Sequence, residues 1–322
     1  MSTDDVDILG VSCVAGNVSL ARVVENTMAW LDLCSATGIE VCAGADRPLQ
    51  EPLREETVSH GASGLGYAVL PTSTRLLSER SAVELWVETV RARPGEVIGI
   101  ATGPLTNIAY ALQVEPRLLH LLKRLVIMGG SFHHQGNTTP TAEWNIAVDP
   151  EAAKIVADAS AGLPGDWPIW VGLNVTERIS LTPLDVESLQ RLAGSEPVDT
   201  LSPSDEHGIT STINDPLIRA IVDAARYYFE GHLAEGDGYR AFLHDPAAAA
   251  LAVDLDLATL TATRIDIELD GTLTRGQTVA DFKHLWGGSP NARVVTDFDA
   301  SRFTTTFIRT TADLARRLRK EH

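Results

Sequence analysis

An imidazole and a carboxylate stand side by side at His244 and Asp245, and Pro246 follows them directly. Proline favours an extended conformation for the residue before it, so Asp245 is well placed to bind a metal ion. Hard cations such as Ca²⁺ prefer carboxylate and carbonyl oxygens, and an imidazole such as that of His244 can donate a proton to a leaving group. We therefore predict a metal ligand at Asp245 and a catalytic acid at His244. The alternative is a structural role, in which Asp245 caps the alanine-rich helix after it.

A second polar cluster follows an apolar run that ends at Met128. The pair Gly129-Gly130 allows the backbone to approach a ligand closely. Amides and a carboxylate then follow at Asn137, Glu143 and Asn145. Donors and acceptors of this kind suit a ligand with several hydroxyl groups, such as a ribose. The sequence therefore predicts a sugar-binding segment, with an ordinary surface loop as the alternative.

Polar residues also stand in three other loops. Thr106, in TGPLTN, follows a tight turn and either offers its backbone carbonyl to a cation or caps a helix. Asn17 ends VAGN and is expected to point into the same crevice. His60, in the glycine-rich HGASGLG, faces either the ligand or solvent, and His133-His134 are expected near the mouth of the site.

The order of apolar runs indicates how these loops are positioned. Strands are predicted at 6–15, 97–101, 125–128 and 168–175, and helical patterns lie between them. This alternation predicts an α/β fold with a mostly parallel central sheet flanked by helices. The segments AGN, GPLTN, MGG and LNVT follow the strands, and ligands bind at the carboxyl ends of such strands.

The remaining chain is predicted to complete one domain over residues 1–322. The polar stretch at about 194–212 is rich in Ser, Pro and Asp and is predicted to be a flexible insertion. A long helix is predicted from about Asp215 to Leu233, with strands at 264–269 and 293–298 and a basic helix at the C-terminus.

Composition and charge exclude several classes of partner. The formal net charge of -17 repels phosphate backbones, so nucleic-acid polymers and anionic membranes are poor candidates. Three cysteines in no disulfide or zinc pattern, at Cys13, Cys34 and Cys42, favour a reduced, cytoplasmic compartment. The acidic start of the chain is unlike a signal peptide, and no apolar run is long enough to span a membrane.

Taken together, the motifs resemble the inosine-uridine preferring nucleoside hydrolase family. The resemblance runs from about Val6 to the C-terminus, and its segments occur in the family's order. They are VAGN (14–17), VCAGADRPL (41–49), HGASGL (60–65), ATGPLTN (101–107), MGG (128–130), GN (136–137), AEWN (142–145), DPEAA (149–153), HDP (244–246) and TRGQTVAD (274–281).

The resemblance implies a Rossmann-like nucleoside hydrolase fold and hydrolysis of the N-glycosidic bond of purine or pyrimidine ribonucleosides. It also implies one Ca²⁺ ion, a role in nucleoside salvage, and a homodimer or homotetramer. Asp245 and the main-chain carbonyl of Thr106 match metal ligands of the family, and His244 matches a histidine near the leaving base. The matches to substrate-binding positions are Asn17, His60, Met128, Asn137, Glu143 and Asn145.

One family feature is absent from this sequence. Family members begin with a strand that ends in a D-x-D-P-G-x-D-D loop, which supplies further metal carboxylates and the base that activates water. Only 16 residues precede Asn17, and Asp4-Asp5 do not match that loop. We therefore expect a fold without its first strand, an incomplete Ca²⁺ site and impaired hydrolysis, and we expect that the natural protein starts further upstream. The alternative is a non-catalytic riboside-binding or regulatory protein.

Overall fold

The computed structural model describes residues 6–54 and 59–321. Asp4 and Asp5 lie outside the described residues. The strands are β1 (Gly10–Cys13), β2 (Glu40–Ala43), β3 (Ile98–Ala101), β4 (Arg124–Met128), β5 (Ile169–Val171), β6 (Ser180–Leu181), β7 (Ala241–Phe242), β8 (Ala258–Thr263), β9 (Ile265–Ile267), β10 (Thr278–Ala280) and β11 (Ala292–Phe298). The α-helices are α1 (Leu20–Leu33), α2 (Ala82–Ala92), α3 (Thr106–Val114), α4 (Leu118–Leu121), α5 (Trp144–Val148), α6 (Pro150–Ala159), α7 (Leu173–Thr176), α8 (Pro183–Ala193), α9 (Pro216–Glu235), α10 (His244–Val253) and α11 (Ala300–Glu321).

The central sheet has the strand order β3-β4-β5-β11-β8. Strands β3, β4, β5 and β11 run parallel to their neighbours in this order, and only β8 is antiparallel, at the edge beside β11. Strands β1 and β2 form a separate parallel pair. The predicted α/β class with a mostly parallel sheet is confirmed.

Both faces of this sheet are buried, which explains the uninterrupted apolar strands. Along β4, Val126 and Met128 contact one core cluster, whereas Leu125 and Ile127 contact the other. This alternation follows from the two-residue period of a strand. Helices α8 to α11 supply the first cluster, and helices α3 and α6 supply the second. The carboxyl end of β4 therefore leaves a well-packed core directly before Gly129.

Several helices begin where their capping residues predict. The Ser81 hydroxyl accepts the Glu84 N–H in a capping box, as expected for α2. The Asp149 carboxylate accepts the Ala152 N–H, and Pro150 is the first residue of α6.

Two local predictions were wrong. The segment LNVT does not continue a strand, because the chain turns at Gly172 and forms the short helix α7. A Cβ atom at Gly172 would lie 2.8 Å from the Gly130 carbonyl oxygen, so this turn requires glycine. Thr106 is not a helix cap either, since α3 begins at Thr106 with Leu105 in the N-cap position.

The segment 194–212 contains neither helix nor strand. It is tied to α9 by an ion pair of 2.6 Å between Asp205 and Arg226 and by a hydrogen bond from the Ser211 N–H to the Asp223 carboxylate. The flexibility of this segment and the extent of the single domain stay predictions. Within the described ranges, the structure holds no helix with the length and apolar character needed to cross a bilayer.

Candidate active site

Glu143 is the most tightly held acid at the carboxyl end of β4. Its side chain accepts the backbone N–H groups of Gly130 (3.0 Å), Asn145 (2.8 Å) and Ile146 (3.1 Å). The residue is 2% exposed and caps the N-terminus of α5. Burial raises the pKa of Glu143 to about 7, although the three N–H donors lower it. The carboxyl group is therefore rigid and close to its titration point at neutral pH.

Other predicted sugar ligands gather around Glu143. The Asn145 amide donates to the Met128 carbonyl oxygen at 3.3 Å and lies 3.4 Å from its sulfur atom. The exposed Asn137 accepts the Trp144 N–H at 2.9 Å. The structure thus brings Met128, Asn137, Glu143 and Asn145 together in one loop system, as the spacing predicted.

Asp245 lies near Glu143 in the first turn of α10, which packs on β3 and β4. It retains accessible surface, yet surrounding protein atoms and the Glu143 charge both raise its pKa well above the usual range. Two acids with raised pKa values in one place mark a candidate functional site.

His244 is held in an uncharged form. Its Nδ1 atom lies 2.7 Å from the hydroxyl group of the buried Thr176. Burial lowers the pKa of His244 to about 3, and the neighbouring His232 and His60 lower it further in the same direction.

A row of rings extends from His244 and is called the imidazole wall below. Neighbouring ring centroids lie 5.6, 4.3, 4.6 and 5.6 Å apart along the row. Its members, in order, are His60, Tyr228, His232, Phe242 and His244. Neighbouring rings are tilted by 29°, 42°, 49° and 55° to one another, so the wall is a stepped row of aromatic rings that ends at His244, next to Asp245 in the chain.

Thr106 is placed differently from the other predicted residues. Its side chain is 1% exposed, and its hydroxyl donates to the Asp149 carboxylate at 2.6 Å. The same carboxylate accepts the Leu49 N–H, so Asp149 joins two loops to the start of α6. Only the backbone carbonyl of Thr106 is left as a possible ligand for a cation.

Asn17 lies half-buried in a loop packed against TGPLTN. A Cβ atom at Gly16 would lie 2.9 Å from Pro104, which shows how closely the two loops approach. Asn107 holds this arrangement, because its amide donates to the Cys13 carbonyl oxygen and its oxygen accepts the Ala45 N–H. Asn107 was not among the predicted site residues. The only sign of its role in the sequence was that its amide side chain directly follows Thr106.

His133 and His134 are both exposed and lie along a groove of about 610 Å³ that also touches Gln277 and Ala280. His133 contacts the Ala280 carbonyl oxygen, and His134 lies 2.6 Å from the Glu177 carboxylate. These contacts attach the loop to its neighbours. They give neither histidine a partner among the predicted catalytic residues.

Ca²⁺ needs more oxygen ligands than the described residues bring together. Among residues 6–54 and 59–321, no group of three or more His, Cys, Asp or Glu side chains is arranged to hold a metal ion. The Glu143 oxygens already accept three N–H groups, so Asp245 is left with one backbone carbonyl as its predicted companion. Ca²⁺ takes about 6–8 oxygen ligands. This part of the chain does not fit a complete Ca²⁺ shell, and Ca²⁺ binding stays a prediction.

The buried acid predicts how stability depends on pH. A carboxyl group with a raised pKa in the folded state binds its proton more tightly than in the unfolded chain. Its contribution is therefore fully present below its usual pKa and is lost as the pH rises through the raised value. We expect the free energy of unfolding to fall by up to about 3 kcal/mol between pH 4.5 and pH 7 because of Glu143. Urea titrations across this range measure it, and Glu143→Gln should flatten the slope whereas Glu84→Gln should not.

The turn before Asn137 gives a second prediction. A Cβ atom at Gly136 would lie 2.2 Å from the Ala142 carbonyl oxygen and 2.3 Å from that of Thr139. We expect Gly136→Ala to lower the free energy of unfolding by about 1–3 kcal/mol, because the backbone must shift. Gly162→Ala is the matched control, since nothing lies within 4 Å of its added methyl group. Equal stability of the two variants, measured by thermal or urea unfolding, would contradict this account of the loop.

Comparisons with known proteins agree with this geometry. The sequence model of the family "Inosine-uridine preferring nucleoside hydrolase" matches residues 1–305. The inosine-uridine preferring nucleoside hydrolase of Crithidia fasciculata is 34% identical over 302 residues, which are 93% of this chain and 87% of that protein. The pyrimidine-specific ribonucleoside hydrolase RihA of Salmonella arizonae is 33% identical over 304 residues, or 94% of this chain and 89% of its own.

Solved structures show the same relationship. The purine-preferring ribonucleoside hydrolase of Gardnerella vaginalis superposes with a TM-score of 0.84 at 25% identity, covering 98% of this chain and 92% of its own. A plant nucleoside hydrolase superposes with a TM-score of 0.82 at 27% identity, covering 96% of this chain and 92% of its own. The shared motifs, the fold and the extent of these matches together establish that this chain belongs to the inosine-uridine preferring nucleoside hydrolase family.

Proposed function

We propose that this chain is a ribonucleoside N-ribohydrolase, a glycosidase that uses water to cleave the bond between a purine or pyrimidine base and C1′ of ribose. The observation that carries the proposal is the buried Glu143 carboxylate, fixed by three backbone N–H groups beside Asp245 at the carboxyl end of β4. The family membership supports it, because the relatives named above hydrolyse ribonucleosides according to their names.

The sugar would be bound by the residues around β4. Glu143 and Asn145 would offer a carboxylate and an amide, Met128 would support them from the core, and Asn137 and Asn17 would add amides from the neighbouring loops. The base would lie against the imidazole wall, where His60 and His244 stand at opposite ends. This arrangement separates a polar sugar side from an aromatic base side.

The reaction breaks the C1′–N bond and forms a bond from the water oxygen to C1′. One of the two protons of that water ends on the departing base, and the other stays on the new hydroxyl group of ribose. Positive charge develops on the ribose in an oxocarbenium-like transition state, so the carboxylates of Glu143 and Asp245 would stabilise it. His244 is uncharged, and its Nδ1 atom is best assigned as the acceptor of the Thr176 hydroxyl. Its Nε2–H is then the group that donates a hydrogen bond to the leaving base.

We also propose that Ca²⁺ assists the reaction, with Asp245 and the Thr106 carbonyl among its ligands. The chemistry favours a hard cation here, because Glu143 raises the pKa of Asp245 and a divalent cation would relieve that repulsion. The described residues supply part of the shell, and the dependence of sugar release on added Ca²⁺ tests this proposal.

Release of reducing sugar from inosine and uridine, with and without Ca²⁺, tests the proposal. We expect release that is lost in the variant Asp245→Asn, while calorimetry shows that this variant still folds and unfolds cooperatively. Failure to release sugar together with failure to bind either nucleoside would overturn the proposal.

A second candidate is a non-catalytic riboside-binding protein on the same fold. It is favoured by the absence, among residues 6–54 and 59–321, of a cluster of side chains able to hold a metal ion. Calorimetry separates the two candidates. Binding of inosine that ignores Ca²⁺ and yields no free base would support the second one.

The setting of the protein is also a proposal. Cys13, Cys34 and Cys42 are free thiols, which supports a reducing compartment such as the cytoplasm and a role in nucleoside salvage. We propose a homodimer or homotetramer of this chain, which light scattering on the purified protein would test.

A further inference from the structure

Residues 59–68, called the His60 loop below, lie directly on the long helix α9. Gly66 has a φ of +60°, and a Cβ atom there would lie 2.7 Å from Cβ of Tyr227. Gly61 has a φ of +70°, and its added Cβ atom would lie 3.4 Å from the Tyr227 ring. Both positions favour glycine, so the backbone of the loop is in close contact with the helix.

The opposite side of this loop contacts helix α1 and the loop that contains Asn17. The Asn26 amide of α1 donates to the Ser63 carbonyl oxygen at 2.8 Å. A Cβ atom at Gly64 would lie 3.1 Å from Val18, the residue after Asn17. The His60 loop therefore spans from the Asn17 loop to α9, and its position sets where the His60 ring meets Tyr228 in the imidazole wall.

A polar contact fixes the far end of this loop. The Tyr67 ring packs edge-on against Tyr227, with centroids 4.9 Å apart, and its hydroxyl donates to the Glu230 carboxylate at 2.5 Å. The Glu230 side chain is 9% exposed, and His207 from the 194–212 segment lies 3.1 Å from its carboxylate. Burial and the Glu230 carboxylate both raise the pKa of Tyr67, so its hydroxyl stays protonated and remains a donor.

The hydrogen bond between the Tyr67 hydroxyl and the Glu230 carboxylate is called the latch below. A hydroxyl-to-carboxylate hydrogen bond is charge-assisted and stronger than one between neutral groups. Removal of the Tyr67 hydroxyl takes the shorter of two contacts from the largely buried Glu230 carboxylate, the other being His207 at 3.1 Å. The loss of a partner at a buried acceptor costs more than the bond itself contributes. Glu230 lies on α9 two residues from Tyr228 and two from His232, so the latch is attached to the helix that supplies the centre of the wall.

We propose that Tyr67 and Glu230 are positioning residues that hold the His60 loop against α9 and thereby set the base-binding side of the site. This inference rests on the proposed function, because it assigns the two residues to recognition of the base rather than of the sugar. Neither residue touches the sugar-side cluster around Glu143. The contribution of the latch should therefore depend on whether the ligand carries a base.

Calorimetry with inosine and with free ribose tests the assignment on the full chain. We expect Tyr67→Phe, which keeps the ring contact with Tyr227, to weaken inosine binding about tenfold and to leave ribose binding within about twofold. Glu230→Ala should weaken inosine binding similarly, and the double variant should lose little more, because the two changes remove the same bond. Glu230→Gln, which keeps an acceptor oxygen, should restore part of the affinity.

The matched control is Tyr110→Phe, which removes the hydroxyl of a tyrosine that is 39% exposed on α3. It should leave both affinities unchanged. Equal weakening of inosine and ribose in Tyr67→Phe, or no weakening of either, would overturn the assignment.

Hydrogen exchange on the ligand-free chain gives a readout that does not depend on the proposed function. Tyr67→Phe should increase exchange at the amides of Gly64 and Gly66, which donate to Gly61 and His60 within the loop. If the unaltered chain binds neither inosine nor ribose, the proposed function fails while exchange still decides whether the latch holds the loop. Unchanged exchange in this variant would show that the latch does not position the loop.

Discussion

Replacement of Glu143 by glutamine should weaken binding of inosine and uridine about 100-fold and lower the free energy of unfolding by about 1–3 kcal/mol. The carboxylate accepts three N–H groups with two oxygens, and one oxygen alone accepts from both Gly130 and Ile146. An amide has a single acceptor oxygen, and its NH₂ group would face at least one of these donors. The N-terminus of α5 would then lose part of its cap, and Asn145 would lose its fixed position beside Met128.

The control for this variant is the same substitution at another helix N-terminus. Glu84 completes the capping box of α2, where its side chain accepts the Ser81 N–H at 2.7 Å in an exposed setting. We expect Glu84→Gln to cost less than about 1 kcal/mol and to leave nucleoside affinity unchanged. Urea unfolding and calorimetry measure both effects. Full nucleoside affinity in Glu143→Gln would show that Glu143 is a structural cap only and that the sugar is bound elsewhere.

The proximity of Asn137, Glu143 and Asn145 was predictable because its signal is local. Gly129 and Gly130 follow a buried strand, and a chain that leaves such a strand must present its next polar groups at the sheet edge. Asn137, Glu143 and Asn145 come soon afterwards, so few arrangements keep them apart. The sequence did not reveal that Glu143 is held by three backbone donors, because this depends on where α5 begins.

Contacts between distant segments were not predictable in the same way. The Thr106 hydroxyl has a buried partner at Asp149, and nothing near TGPLTN distinguishes that bond from a helix cap. The latch joins Tyr67 to Glu230, 163 positions apart. Its only sequence signal was indirect, namely a run of aromatic residues close to the acid on one predicted helix.

The segment LNVT shows how a local pattern can mislead. Apolar and β-branched residues from 168 to 175 favour a strand, and β5 does occupy Ile169–Val171. The chain then turns at Gly172, where the Leu173 N–H donates to the Gly130 carbonyl oxygen at 2.9 Å, and α7 places Thr176 against His244. Tertiary contact overrode the local preference at the point where the chain reaches the site.

The site combines acids that hold protons tightly with imidazoles that hold them weakly. Burial raises the pKa of Glu143, surrounding protein atoms and the Glu143 charge raise that of the exposed Asp245, and burial lowers the pKa values of His232 and His244. All four shifts disfavour charge, so these four side chains together carry less charge than their residue types suggest. A ligand that develops positive charge during reaction would favour ionisation of the two acids, which is the electrostatic assistance that the proposed transition state requires.

The neutral state of His244 leads to the largest kinetic effect that we expect. His244→Gln should lower kcat for inosine and uridine by about 10²–10³-fold, the range typical of a lost hydrogen-bond donor to charge that develops in the transition state. A riboside with a nitrophenolate leaving group departs as a stable anion and needs no proton, so its kcat should fall by less than about tenfold. His120→Gln, an exposed histidine on α4, is the control and should leave both substrates unaffected.

The relation of His244 to Thr176 sharpens this prediction. With the Thr176 hydroxyl donating to Nδ1, the proton stays on Nε2, the atom that we propose donates to the base. Thr176→Val removes that donor and frees the ring to take the other tautomer, so it should slow nucleoside hydrolysis while Thr176→Ser keeps most of the rate. Initial rates on inosine and on the nitrophenyl riboside measure all of these variants. Equal losses on both substrates in His244→Gln would place His244 in sugar binding or folding, and the imidazole wall would then need another residue to assist departure of the base.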